Sequence, residues 1–217
     1  MHEEQDAYAG GRDPQRETGE QPGDERLLWA VASAMRELGP RATMAQLARE
    51  VGEEPAVLYR RFPTIDVLRE SLAAAFYDRL FHHVQRAQNL PVDQQLEYFL
   101  RTVGLHLAAS RGVLPDEFGQ MASRPQRERV YALTADLLAT AQQAGLVPET
   151  VSLSDLAAVI WALRGIIAMT ETIEADAWER HLDLVLAGLK SEELTFTRPP
   201  MGAASLDAVI NRRRNER

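Results

Sequence analysis

Apolar side chains along this chain recur every three or four positions and almost never alternate. Leu27, Val31, Met35 and Leu38 form a first helical stripe that stops at Gly39-Pro40, a pair that ends helices. Thr43 with Gln46 three residues on forms a capping box, in which the hydroxyl accepts from the third-position amide and the glutamine reaches back. That helix carries Leu47 and Ala48 and ends near Gly52. Pro55 then takes the first position of a third helix, where proline sacrifices no hydrogen bond, and Phe62-Pro63 closes it. Thr64 caps a long helix with Leu68, Leu72, Phe76, Leu80 and Val84 at intervals of four. Pro91 opens the next, with Leu96, Phe99, Leu100, Val103 and Leu107 facing inward. A shorter piece follows Pro115, and Pro125 starts a helix running to Gly145. Ser152 with Asp155 caps another, through Leu156, Ile160, Leu163 and Ile167, and a last carries Trp178, Leu182, Val185, Leu186 and Leu189. With no strand-like alternation and no internal repeat, the pattern predicts an all-α fold of about nine helices.

The two ends fall outside this pattern. Residues 1–23 hold repeated glycine and proline with six acids and two arginines, too little apolar surface to offset the cost of ordering, so a disordered acidic tail is expected. Residues 195–217 contain Pro199, Pro200 and Gly202, a short helical stretch and then Arg212, Arg213 and Arg214, a basic tail of net +3. Across the whole chain, 24 basic residues face 32 acidic ones, a net charge of -8 that excludes a uniformly basic coat for nucleic acid but not a local patch. The absence of cysteine removes disulfides, thiolate zinc sites and cysteine nucleophiles. The most apolar stretch, Leu153 to Met169, contains Asp155 and Arg164 and is expected to pack in a core instead of crossing a membrane. The start, with Glu3, Glu4 and Asp6, lacks the positive and apolar regions of a signal peptide, so a soluble cytoplasmic protein with no membrane partner is expected.

Three helices in some forty residues, the second and third both short and joined by a glycine turn, suit a helix-turn-helix over 24–63. The run TMAQLAREVGEEPAVLYRRFPTIDVL, residues 43 to 68, resembles the DNA-binding segment of the TetR family of bacterial transcriptional regulators. It shares the capping threonine, Ala48 and Gly52 at the helix contact, and Leu-Tyr-Arg-Arg-Phe-Pro at the close of the third helix. The later run AQQAGLVPETVSLSDL, residues 141 to 156, looks like a regulatory-domain pattern of the same family. The resemblance implies phosphate contacts from Arg41, Thr43, Tyr59 and Arg61, and it places Glu54, Pro55, Ala56 and Arg60 near the bases or the groove wall. On the residues alone, Tyr59 is alternatively a core aromatic, Arg60 and Arg61 alternatively solvated charges, and Phe62 a core residue. Glu53 and Glu54 stand where the family usually has a small apolar residue and a Ser or Thr, and Ile65 where it usually has a lysine. Residues 24–63 carry six arginines against six acids, so non-specific attraction to DNA is expected to be weak.

The same resemblance makes residues 64–194 a regulatory domain that binds a small-molecule effector of unstated identity and dimerises. Candidate lining residues are Phe76, Tyr98, Phe99, His106, Phe118, Met121 and Trp161, with Arg164 as a polar anchor. Each aromatic is alternatively ordinary core. Arg164, on an apolar helix, needs a partner: a ligand anion or an acid at the dimer seam. The helices over 152–170 and 176–190 together offer two apolar faces, more than one packed core stripe requires, so they are expected to build a homodimer. His82 and His83 point about 100° apart on a helix and cannot readily share an ion, and His106 and His181 stand alone in sequence. With no phosphate-binding loop, nucleophile elbow or His-Glu-x-x-His, neither enzyme activity, a cofactor nor a metal is expected. The sequence therefore describes a dimeric, ligand-responsive regulator, most simply a repressor on a palindromic double-stranded DNA operator. The alternative is a helical small-molecule-binding dimer whose head binds DNA weakly or no longer does.

Overall fold

The computed structural model describes residues 23–39, 41–110, 122–170, 172–191 and 193–210; these form nine helices and no strand. The acidic stretch before Gly23, the short piece expected after Pro115 and the run Arg212–Arg214 lie outside the described residues.

The first three helices are α1 (Gly23–Leu38), α2 (Met44–Glu50) and α3 (Pro55–Arg61). They close around one buried cluster: Leu28, Val31, Ala32 and Met35 of α1 meet Met44, Leu47 and Ala48 of α2 and Leu58 of α3. Leu38, expected to end the inward stripe of α1, is 40% exposed, because the stripe is carried by Leu28, Val31 and Met35 and the helix stops before a further inward turn. The capping box forms: Gln46 N donates to Thr43 Oγ1 at 3.3 Å, and Thr43 N donates to Gln46 Oε1 at 2.9 Å. Gly52 takes φ +72°, a conformation L side chains adopt only with strain. There the chain reverses so that Glu53 N donates to the Ala48 carbonyl at 2.8 Å and α3 folds back on α2.

Helix α4 (Ile65–Ala87) starts at Thr64, whose hydroxyl accepts from Val67 N at 3.2 Å. Its first turns belong to the head: Leu68 and Leu72 complete the cluster of α1–α3. From Ala73 onward Phe76, Tyr77, Leu80 and Val84 belong to a second, larger cluster. The two cores therefore part within one continuous helix.

The larger cluster is built with α5 (Val92–Ala109), α6 (Arg124–Gln143), α7 (Leu153–Thr170) and α8 (Ala177–Leu189). Helix α4 packs on α5 and α6, α5 also packs on α7 and α8, and α7 packs on α8. Phe99, Leu100, Leu137, Leu156, Leu163 and Leu182 are fully buried. Gly104 lets α5 and α8 approach: a Cβ there would collide with the Trp178 ring. The run 141–156 mainly fixes the α6–α7 joint. Gln142 Nε2 donates to the carbonyls of Pro148 (3.1 Å) and Val151 (2.8 Å), and Ser152 N donates to the Asp155 carboxylate at 2.8 Å. Helix α6 begins with a capping box of Ser123 and Gln126, a signal the hydrophobic pattern does not carry. Helix α9 (Ala203–Ile210) follows, with Leu206 buried.

By length and composition alone, α7 matches a membrane-crossing helix, with mean hydropathy 1.5 despite Asp155 and Arg164, and only 28% of it is buried within the chain. One weakly apolar helix packed on α5 and α8 does not make a membrane domain. Its outer face instead exposes Ala158, Trp161, Ala162, Gly165, Ala168 and Met169 at helical spacing, and α8 beside it exposes Leu184 and Ala187.

Candidate nucleic-acid interface and ligand core

Packing buries few residues of the two short helices, and most of the others are exposed. Leu47, Ala48 and Leu58 are fully buried and hold α2 against α3. Arg41, Thr43, Glu54, Pro55, Ala56, Tyr59, Arg60 and Arg61, the side chains expected to meet DNA, are all exposed. Tyr59 is 48% exposed, so it is a surface aromatic and not a core one, while Phe62 is buried as expected. Arg60 and Arg61 occupy the last turn of α3, where cations complement the helix dipole. Glu54 is the α3 N-cap in an extended backbone conformation; its carbonyl accepts from Val57 N at 2.9 Å, but its carboxylate makes no capping bond. Glu53 and Glu54 are both exposed. The surface thus offers guanidinium and phenol donors suited to phosphate and base edges, with a carboxylate acceptor at the start of α3.

Besides the shared helix α4, contacts of α1 tie the head to the body. Arg36 Nη1 of α1 donates to the Ala109 carbonyl at the end of α5, 3.2 Å away. The Arg79 guanidinium of α4 lies 3.9 Å over the Trp29 ring of α1, a cation–π contact.

Inside the body, the expected ligand residues separate. Phe76 and His106 meet edge to face, ring centres 6.3 Å apart. Phe99 is fully buried and Tyr98 half-buried against the same cluster. Phe118 and Met121 lie outside the described residues. Trp161 does not line the interior: it is 38% exposed on the outer face of α7, because that helix is apolar nearly all round and spacing alone could not say which stripe turns inward. Arg164 is half-buried. His106 is not isolated either, since its ring lies 4.5 Å from that of His83, one helix across. Burial, followed by the charges of His83 and Arg79, pushes its pKa down to about 3, so it is neutral at ordinary pH.

Several residues passed over in the sequence join this core. Tyr77 is buried, and burial raises its pKa while the charges of Arg127 and Arg164 act in the opposite direction. Tyr131 is pushed up by burial, then by Tyr77, with Arg127 opposing. Arg127 is buried and its Nη1 donates to the Ala122 carbonyl. A signal for Arg127 existed: it falls on the stripe Val130, Thr134, Leu137 and Ala141 that α6 turns inward. A shallow cleft elsewhere, between Leu96, Ala141 and Leu189, is edged by the 2.7 Å pair of Lys190 Nζ and Glu97 and contains none of the expected ligand residues. Among the described residues, no three His, Asp or Glu side chains gather where they could hold a metal ion.

Residues 92–191 match the family model described as "Transcriptional regulator SbtR-like, C-terminal domain". No curated protein matches the chain. Among solved structures, a TetR transcriptional regulator from Streptomyces coelicolor is 27% identical, with a TM-score of 0.59 over 78% of this chain and 99% of that one. A TetR regulatory protein from Mycobacterium vanbaalenii is 22% identical, with a TM-score of 0.57 over 77% of this chain and 94% of that one. The fatty acid degradation regulator FadR from Bacillus halodurans is 16% identical, with a TM-score of 0.59 over 81% of this chain and 100% of that one, and is alike in fold.

Proposed function

Because the chain belongs to the TetR family of transcriptional regulators, we propose that it is a cytoplasmic, homodimeric repressor that leaves a palindromic operator when a small molecule enters its body. The observation that supports this best is the head: α2 and α3 are held by three fully buried side chains, while eight others suited to phosphate and base edges stand exposed around them. Helix α3 enters the major groove. Arg41, Thr43, Tyr59 and Arg61 position the head on phosphates, and Glu54, Pro55, Ala56 and Arg60 face the bases. Two heads on one body then span two half-sites, with the outer faces of α7 and α8 forming the seam between copies.

Release requires that effector and DNA favour different head spacings, since a ligand shifts an equilibrium only by its differential affinity for the two states. Helix α4 serves both cores, and the Trp29–Arg79 and Arg36–Ala109 contacts fasten α1 to the body, so a displacement near Phe76 and His106 reaches the head through packed elements. No catalytic role is assigned.

Titration against the DNA upstream of its own coding sequence tests this. Tyr59→Phe and Arg61→Ala should each weaken binding, and the arginine change should also flatten the salt dependence by about one unit. If neither variant alters binding to an established operator, the phosphate assignments are wrong. The exposed Glu53 and Glu54 favour a second reading, a ligand-binding dimer with weak DNA affinity. It is recognised by negligible wild-type binding that rises for every sequence in Glu53→Ser/Glu54→Ser.

A further inference from the structure

Helix α9 is held at the end of the body that carries the head. Leu206 docks it and is buried, while the other described side chains of α9 are exposed. Glu128 accepts from Arg124 Nε at 2.6 Å, and this bond, followed by the charges of Glu128 and of Asp207 on α9, raises the pKa of the Arg124 guanidinium. Asp207 thus lies by the first turn of α6. That turn is fixed in turn to α4, where Gln126 Nε2 donates to the Asp78 carboxylate at 3.3 Å and to the Ala74 carbonyl at 3.5 Å. Leu72, two residues before Ala74, is the last buried residue that α4 gives to the head cluster. The chain therefore passes Ile210 close to the head. Residues 211–217, outside the described residues, hold Arg212, Arg213, Arg214 and Arg217 against Glu216, and nowhere else in the sequence do three arginines or lysines stand in a row. Seven residues reach about 25 Å at most. From Ala74 back to Ile65, just after α3, is about 14 Å of helix, so the arginines can reach past the head to a duplex lying on α3. The head itself brings little attraction for DNA: residues 24–63 balance six arginines with six acids, and Glu53 and Glu54 stand exposed at the start of α3.

We propose that residues 211–217 act as a basic arm that grips the phosphate backbone of duplex DNA beside the site read by α3, supplying the sequence-independent attraction that the charge-balanced head lacks. This rests on the DNA-binding reading of the head and adds a second contact to it. Arginine suits the task, since its guanidinium stays charged and its planar fork matches two phosphate oxygens. Contacts of this kind release counterions and position the protein without reading bases.

The test compares the full chain with Arg212→Gln/Arg213→Gln/Arg214→Gln and with a chain ending at Ile210. Each is titrated by fluorescence anisotropy onto the DNA upstream of its own coding sequence and onto an unrelated duplex of equal length, over a series of salt concentrations. The triple change should weaken both duplexes alike, by about ten-fold or more at low salt, and flatten the slope of log affinity against log salt by about two to three units per arm engaged. The ratio of operator to unrelated affinity should stay the same, as should the melting temperature. The shortened chain should behave like the triple variant. A slope that both variants leave unchanged overturns the proposal. So does tighter binding after either change, which would pair the arginines within the chain, with the acidic stretch 1–23 as their first candidate partner. A loss confined to the operator overturns it as well, because the arm would then be reading bases. Binding that Tyr59→Phe and Arg61→Ala weaken but the arm variants do not removes the arm and leaves the head reading intact. If the wild type binds neither duplex at low salt, the head reading falls and the proposal with it.

Discussion

His106 shows what a single buried group does to the whole chain. Its pKa of about 3 against an ordinary 6.5 means that the unfolded chain takes up a proton at a pH where the folded one does not. The stability this residue contributes is present above pH 6.5 and is lost as pH falls from 6.5 towards 3, by about 1.4 kcal/mol per unit. Denaturant titrations at several pH values should show that extra slope in the wild type and not in His106→Gln. Gly104 makes a different kind of demand. Gly104→Ala should destabilise the protein by about 1–3 kcal/mol, because the added methyl meets the Trp178 ring. Gly104→Ala/Trp178→Leu should lose less than the two single changes combined, and thermal melts of the four proteins check this. Residues whose role is local were legible in the sequence. Thr43 and Gln46 cap each other, and Pro55 starts α3, because both signals depend only on near neighbours. The contact of His106 with His83 and the burial of Arg127 depend on which helices pack together, and short-range spacing does not contain that.

At the scale of elements, α3 carries the least settled feature of the head. Glu54 holds the N-cap without a capping bond, whereas serine there can accept from the backbone of the first turn. Glu54→Ser should therefore raise thermal stability slightly and tighten operator binding by roughly 1 kcal/mol or less, an exposed charge being well screened. A loss confined to one operator position would instead identify the carboxylate as an acceptor from a cytosine amino group. Element boundaries were legible for α2, α4 and α7, since Thr43, Thr64 and the pair Ser152–Asp155 mark their starts chemically. The division of labour along α4 was not. Its leucines at intervals of four predict one buried stripe, and the same stripe serves the head at Leu72 and the body from Ala73 onward.

For the molecule as a whole, the outer faces of α7 and α8 matter most. Met169 is 84% exposed and Leu184 68% exposed, on helices whose other stripes are buried. Exposed apolar side chains grouped in this way mark a contact surface. Leu184→Glu should convert a dimer to a monomer in sedimentation at micromolar concentration while leaving the circular dichroism helical; a wild type that is already monomeric would remove the seam from the model of action. The excess of apolar faces on these helices was legible in the sequence, but Trp161 shows its limit, since only the packed structure tells the inward stripe from the outward one. The placement of the tryptophans also has a use at the bench. The chain has three: Trp29 lies beneath Arg79 where head meets body, Trp161 stands on the α7 face, and Trp178 is sealed against Gly104. Variants that keep one indole at a time would therefore report by fluorescence on three separate events. Iodide should quench Trp161 in a monomer and lose access to it on dimerisation. Emission from Trp178 should stay blue and shielded until the body unfolds. Trp29 should change colour when the head shifts, which would give the proposed release from DNA an optical gauge within the chain.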